Sequence, residues 1–292
     1  TKELKCEDKF LSAIESILKH KKFDPSFKAL AIRLPSEKAL SQQKPLIEVE
    51  PLSYACQVVR ENIANVHKKL FIELYEKNTS NQAYSFNPEE LGKRLLKNVS
   101  LAFLAETSGT EKEDFLKLTF SQFKNANNMS DCFSALQTLA HTDSPFRQEA
   151  LDIFYDKWQK DRLVMDRWFQ AQAVSRRKTA FSDVKKLLNH PDFDMKNPNR
   201  LRSLLASFFY HNWLGFHQKD GSGYTLCADY VLQMNTVNRQ MAASLLRALG
   251  QWNRHDDLRS KMMFAELKRL DSHKNLVSDV REILNAYLNA SR

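Results

Sequence analysis

Two arginines, Arg200 and Arg202, stand behind Asn197-Pro198-Asn199 and among the apolar positions Leu201, Leu204, Leu205, Phe208 and Phe209. Asparagine can cap a helix, and proline fits the first helical position, where its missing N–H would be unpaired in any case. The spacing therefore predicts a helix opening at Pro198. The free N–H groups of a first turn form a partial positive charge, so a cation placed there loses about 0.3–1 kcal/mol unless an anion is near. At about 100° per residue the two arginines flank the apolar stripe on opposite sides, so both can leave the core. Two readings stay open. The N–H groups and two guanidinium forks can together receive a carboxylate or phosphate, or each arginine can pair with an acid on a neighbouring helix.

Other reactive patterns are sparse. The one glycine cluster, Asp220-Gly221-Ser222-Gly223-Tyr224, lacks a Walker lysine and a preceding strand, so it reads as a tight turn with Ser222 capping the next helix. None of the 8 histidines begins an H-E-x-x-H motif, and His211 and His217 are spaced off one helix face, so they read as core or boundary residues. Cys6, Cys56, Cys132 and Cys227 lie far apart and suggest neither a disulfide framework nor a metal site, which fits reduced thiols in a cytoplasmic protein. No catalytic residue and no metal ligand is assigned in this chain.

The elements that must carry these residues are helical. Gly numbers 6 and Pro 8 in 292 residues, and no stretch alternates apolar with polar long enough to require a sheet. Amphipathic segments follow one another with short polar connectors. One stripe runs through Phe10, Ile14, Ile17 and Leu18 to a turn at Asp24-Pro25, and residues 26–50 are less regular. Val59, Ile63, Val66, Leu70 and Leu74 form one long face ending near "KNTSN". Asn87-Pro88, Ser130-Asp131 and Ser144-Pro145 mark further starts, and Trp168 and Phe169 fill the interior with Asp166 and Arg167 on the polar side. About a dozen or more such helices, joined by short connectors, predict antiparallel pairs stacked into an irregular all-α solenoid of the HEAT or armadillo sort.

The charge balance, 44 − 35 = +9, raises nucleic acid as a partner, but basic and acidic residues alternate and no run of five or six basic residues occurs. A solvated mixed surface follows, with no nucleic acid. No apolar run reaches the ~18 residues of a membrane span, and no signal-peptide core opens the chain, so no membrane partner is expected. Thr1 in place of an initiator Met, in a chain that opens inside an amphipathic pattern, leads to the expectation of a fragment of a longer polypeptide.

Four blocks in order, "NANNMSD" at 125–131, "LVMDRWFQAQA" at 163–173, "FDMKNPNRLRSLLASF" at 193–208 and "FHQKDGSGY" at 216–224, resemble the C-terminal domain of bacterial aminopeptidase N, a zinc-dependent aminopeptidase of the gluzincin type. The similarity runs from "LPSEKAL" near residue 34 to the terminal "DVREILNAYLNA". It implies that residues 1–292 are one α-superhelical domain that closes over the catalytic domain of the same polypeptide and walls a chamber for peptide substrates. The zinc and the catalytic residues would lie in that other domain, with no cofactor in this chain. Arg202 would face the chamber with Arg200 beside it, and Asn197, Pro198, Asn199, Gly221, Gly223 and Tyr224 would be structural parts of the motif. A second chamber arginine of relatives falls at Ser244, where this chain departs from the pattern. The alternative is a helical-repeat adaptor that binds a protein or peptide on its concave face.

Overall fold

The computed structural model describes residues 4–80 and 82–290, so Thr1 and Asn81 lie outside the described residues. Helices account for the architecture: α1 (Asp8–Lys19), α2 (Pro25–Ala31), α3 (Glu37–Ser41), α4 (Val49–Val66), α5 (Lys68–Lys77), α6 (Pro88–Leu104), α7 (Lys112–Asn125), α8 (Met129–Ala140) and α9 (Pro145–Trp158) fill the first half. They are followed by α10 (Arg162–Ala173), α11 (Ala180–Leu187), α12 (Pro198–Leu201), α13 (Ser207–His211), α14 (Trp213–Phe216), α15 (Ser222–Val237), α16 (Arg239–Leu246), α17 (Asp257–Asp271) and α18 (Ser278–Leu288). Among the described residues the one extended pairing is an isolated parallel bridge between Ile47 and His255. The all-α expectation holds. Consecutive helices pack on each other, α5 on α6, α7 on α8, α15 on α16 and α17 on α18. No helix of the described residues is long and apolar enough to cross a membrane.

Local chemistry explains most starts. Asp24, Asn87, Asn128, Asp161, Asn197, Asn238 and Asp256 each accept a backbone N–H of the turn they open. Three of these caps precede a proline at the first helical position, so Asp24-Pro25 opens α2 instead of forming the expected free turn. The start expected at Ser130-Asp131 lies at Asn128, because the Asn128 Oδ1 accepts the Asp131 N–H at 2.9 Å. The single face expected from Val59 to Leu74 is two helices, with His67 outside helical geometry between them and Val66 exposed.

The backbone divides into two compact units, residues 1–35 with 54–157 and residues 36–53 with 158–292. In the first, Leu18, Ala29, Ile63, Phe71, Leu96 and Leu104 are buried together, and the rings of Phe71 and Phe103 stack at 4.8 Å. A buried polar knot joins α6, α7 and α8. The Asp131 carboxylate accepts from Lys97 Nζ at 2.5 Å, Asn98 Nδ2 at 2.9 Å and Asn128 Nδ2 at 3.0 Å, while Gln122 Nε2 donates to Asn98 Oδ1 at 2.7 Å. In the second unit the proline-broken stretch 36–53 is a strap. Its Ile47 N–H donates to the Arg254 carbonyl at 2.7 Å, and Arg254 Nη2 donates to the carbonyls of Ser41 at 2.9 Å and Lys44 at 2.5 Å. Pro51 lies in the first turn of α4, where no backbone N–H is needed.

Removing one partner of the buried Lys97–Asp131 pair strands the other charge. Asp131→Ala should cost about 3–5 kcal/mol in urea denaturation, and the paired replacement Lys97→Met with Asp131→Leu should recover most of that loss.

Candidate functional site

The two arginines part company. Arg200 is buried at 4% exposure, with Nε on Asp166 Oδ1 at 2.7 Å, Nη1 on the Asp192 carbonyl at 2.7 Å and Nη2 on the Arg162 carbonyl at 3.3 Å. Its guanidinium carbon lies 4.7 Å from the centre of the Phe169 ring. The expectation that Arg200 leaves the core is therefore corrected: each of its three nitrogens donates a hydrogen bond, and the Asp166 carboxylate supplies the anion that the first turn of α12 requires. Asp166, expected on a polar face, is the buried cation's partner, and Trp168 and Phe169 are interior as expected.

Arg202 is exposed, and among the described residues no carboxylate pairs with it; its Nη1 donates only to Asn199 Oδ1 at 3.3 Å. Asn197 caps the helix as the spacing predicts, accepting from the N–H groups of Asn199 at 3.0 Å and Arg200 at 3.4 Å, with Pro198 next. Residues Arg202–Ala206 then wind as a π-helix before α13 resumes, and the Ser207 N–H bonds back to the Arg202 carbonyl. The wider turn leaves Leu201, Leu204, Leu205, Phe208 and Phe209 buried.

The glycine turn is structural. Gly221 holds φ at +73° before α15, and the Asp220 carboxylate, not Ser222, accepts the first free N–H, at 3.0 Å from Ser222. That backbone hydrogen bond holds Asp220 below the usual carboxylate range. Gly223 is required by contact: a Cβ there would lie 2.1 Å from the Phe216 carbonyl oxygen. The close approach seats the fully buried Tyr224, whose hydroxyl meets His217 Nδ1 at 2.9 Å.

His217 in turn ties to a centre that sequence spacing misses. Its carbonyl accepts from Arg259 Nε at 2.8 Å, and the buried Arg259 fork reaches Glu50 Oε1 at 2.5 Å and Asp256 Oδ2 at 2.7 Å. Although burial works to raise both carboxyls, the Arg259 hydrogen bonds hold Glu50 and Asp256 below their ordinary values. Trp213 Nε1 donates to the Val49 carbonyl at 3.0 Å, and the His217 and His255 rings lie 4.5 Å apart. Burial pushes His217 well down and His255 down to about 4, so both imidazoles are neutral. Among the described residues no three of His, Cys, Asp or Glu gather as metal ligands. The Ser244 carbonyl accepts the Tyr210 hydroxyl at 2.5 Å. The pairs Glu50–Arg259 and Lys97–Asp131 join segments with no shared motif, and no local pattern in the sequence announces them.

Two outcomes follow. Arg200→Ala should cost about 3–5 kcal/mol by denaturation because Asp166 loses its partner, whereas Arg202→Ala should change stability by no more than about 0.5 kcal/mol. His255 has a folded-state pKa of about 4, below its unfolded value, so its stabilisation is complete above the unfolded pKa and declines as pH falls toward 4. Unfolding free energy measured from pH 7 to 4 should fall, with about 1.4 kcal/mol per pH unit from each such histidine, and His255→Gln should flatten the slope.

A family model described as "Domain of unknown function (DUF3458_C) ARM repeats" matches residues 1–289. Aminopeptidase N of Haemophilus influenzae is 33% identical over 279 residues, 96% of this chain and 31% of the relative. Aminopeptidase N of Escherichia coli is 33% identical over 270 residues, 92% of this chain and 31% of the relative. The crystal structure of Legionella pneumophila aminopeptidase A in complex with aspartic acid superposes with a TM-score of 0.87 at 28% identity, over 99% of this chain and 34% of that one. The chain thus spans about a third of the length of the relatives it matches. On this match and on the helix pairs described above, the chain belongs to the ARM-repeat family DUF3458_C, as a C-terminal domain of the aminopeptidase N kind.

Proposed function

We propose that this chain is the non-catalytic wall and access domain of a zinc-dependent aminopeptidase that removes N-terminal residues from peptides. Its partners are the catalytic domain of the same polypeptide, which supplies the zinc, and peptide substrates. One observation carries the reading: the chain matches about a third of aminopeptidase N from end to end, yet its histidines form no H-E-x-x-H motif. The whole span 1–292 acts here as one functional domain in a cytoplasmic enzyme, and the absence of disulfides among its four cysteines is in keeping with that compartment.

Arg202 is the residue that presents charge to the chamber. It is exposed, begins the π-helical segment that follows the capped turn and has no carboxylate partner among the described residues, so its positive potential is available to a peptide's C-terminal carboxylate. Arg200 supports this position from within by anchoring the turn to α10. Since Asp166 neutralises Arg200, the electrostatic role rests on Arg202 alone.

In the full-length enzyme, Arg202→Ala should raise KM for free-acid peptides by about tenfold, the size of one weakened charge-assisted contact, and leave the C-terminal amides of the same peptides nearly unchanged. Equal changes for acids and amides would remove the electrostatic role. Binding of the isolated chain to the separately expressed catalytic portion tests the wider reading, and failure to bind would favour a free-standing adaptor.

A further inference from the structure

A cavity of about 180 Å³ opens in the second unit among Lys38, Tyr210, Trp213, His217, Arg247 and His255. It has room for several waters, or for one small organic or inorganic ion. Its lining holds two cations and no carboxylate. Among the described residues, neither Lys38 nor Arg247 makes an ion pair; Lys38 Nζ instead sits 4.1 Å from the centre of the Tyr210 ring.

The imidazoles add directed hydrogen-bonding capacity. His255 is 2% exposed, and its Nδ1 is buried without a hydrogen-bond partner, a costly state for a polar atom in a folded core. His217 commits Nδ1 to Tyr224 and leaves Nε2 unclaimed by any hydrogen bond among the described residues. A neutral imidazole carries one N–H and one lone pair, so the unbonded nitrogen of each ring is a donor in the tautomer that places the proton on it. Burial also works against the charge of Lys38, a penalty that a bound anion would relieve. Phe209 and Trp213 give the cavity an apolar wall.

We propose that this cavity is a binding site for a small oxyanion, a carboxylate or a phosphate, held by Lys38 and Arg247 and completed by an imidazole N–H of His255. The two cations repel an ammonium group, so the site discriminates against free amino acids in favour of simple anions. It lies wholly within the second unit, so its occupancy can be read on this chain with no catalytic portion present, whatever the chain's role in a larger enzyme.

The test is a titration of the ¹⁵N-labelled 292-residue chain with sodium acetate or potassium phosphate at constant ionic strength, reading the ring nitrogens of His217 and His255. Saturable shifts with at least one anion are expected. Acetate alone would assign the site to carboxylates, phosphate alone to phosphates, and both to oxyanions in general. Arg247→Gln, at an exposed position, and Lys38→Met should each weaken binding about tenfold, the loss of one charge-assisted hydrogen bond, while Lys185→Met should not change it. If Lys38→Met does not fold, Arg247→Gln decides alone. Absence of a saturable shift with either anion, or unchanged affinity in the folded Arg247→Gln chain, would overturn the proposal.

Discussion

A buried guanidinium has to be neutralised, and in the second unit that requirement organises everything around Arg259. The side chain is 3% exposed and spends its three nitrogens on Glu50, Asp256 and the His217 carbonyl. One partner comes from the start of α4, one from the cap of α17 and one from the end of α14. No two of these segments are neighbours in sequence. The cost of desolvating an unpaired cation forces them together, and the cavity walls, the Tyr224 contact and the seat of the strap follow from that meeting.

The same physics recurs on a smaller scale. Arg200 draws Asp166 and two carbonyl oxygens into the foot of α12, and Lys97 draws Asp131, whose carboxylate also holds Asn98 and Asn128. In each case a helix cap sits within a few residues of the buried ion, so the same turn both starts a helix and completes a charge cluster. Apolar packing supplies the bulk of the core, but these clusters fix which helix meets which. Arg202 differs from Arg200 by two residues and is left in solvent, where the π turn begins and where, among the described residues, no carboxylate pairs with it.

Elements governed by local rules could be read from residue order. Asn87-Pro88 and Asn197-Pro198 start helices where capping chemistry says they should, and the stripe from Leu201 to Phe209 is buried throughout. Asp24-Pro25 obeys the same rule, but α2 spans only 7 residues, too few to show a period, so residue order alone reads as a turn there. The break at His67 and the π segment at 202–206 are small changes of winding that leave no mark on an apolar pattern. At the site, the cap, the proline and the glycine turn were visible for this reason. The fate of Arg200 was not, since periodicity gives a direction from the helix axis but not the identity of what waits there. The burial of His255 agrees with its reading as a core or boundary residue, but residue order does not disclose what Arg259 and Lys38 meet, since Arg259 pairs with a residue 209 positions away.

The strap also has a temporal meaning. Residues 36–53 leave the ribosome long before 254–259, which they must meet, while residues 54–157 have already become available to assemble the other unit. The first unit can complete itself during translation, but the second must keep an early segment waiting across most of the nascent polypeptide. Closure across that length costs more chain entropy than the local pairings do, and until it forms Ile47 and Val49, buried in the fold, have no cover from the residues they pack against.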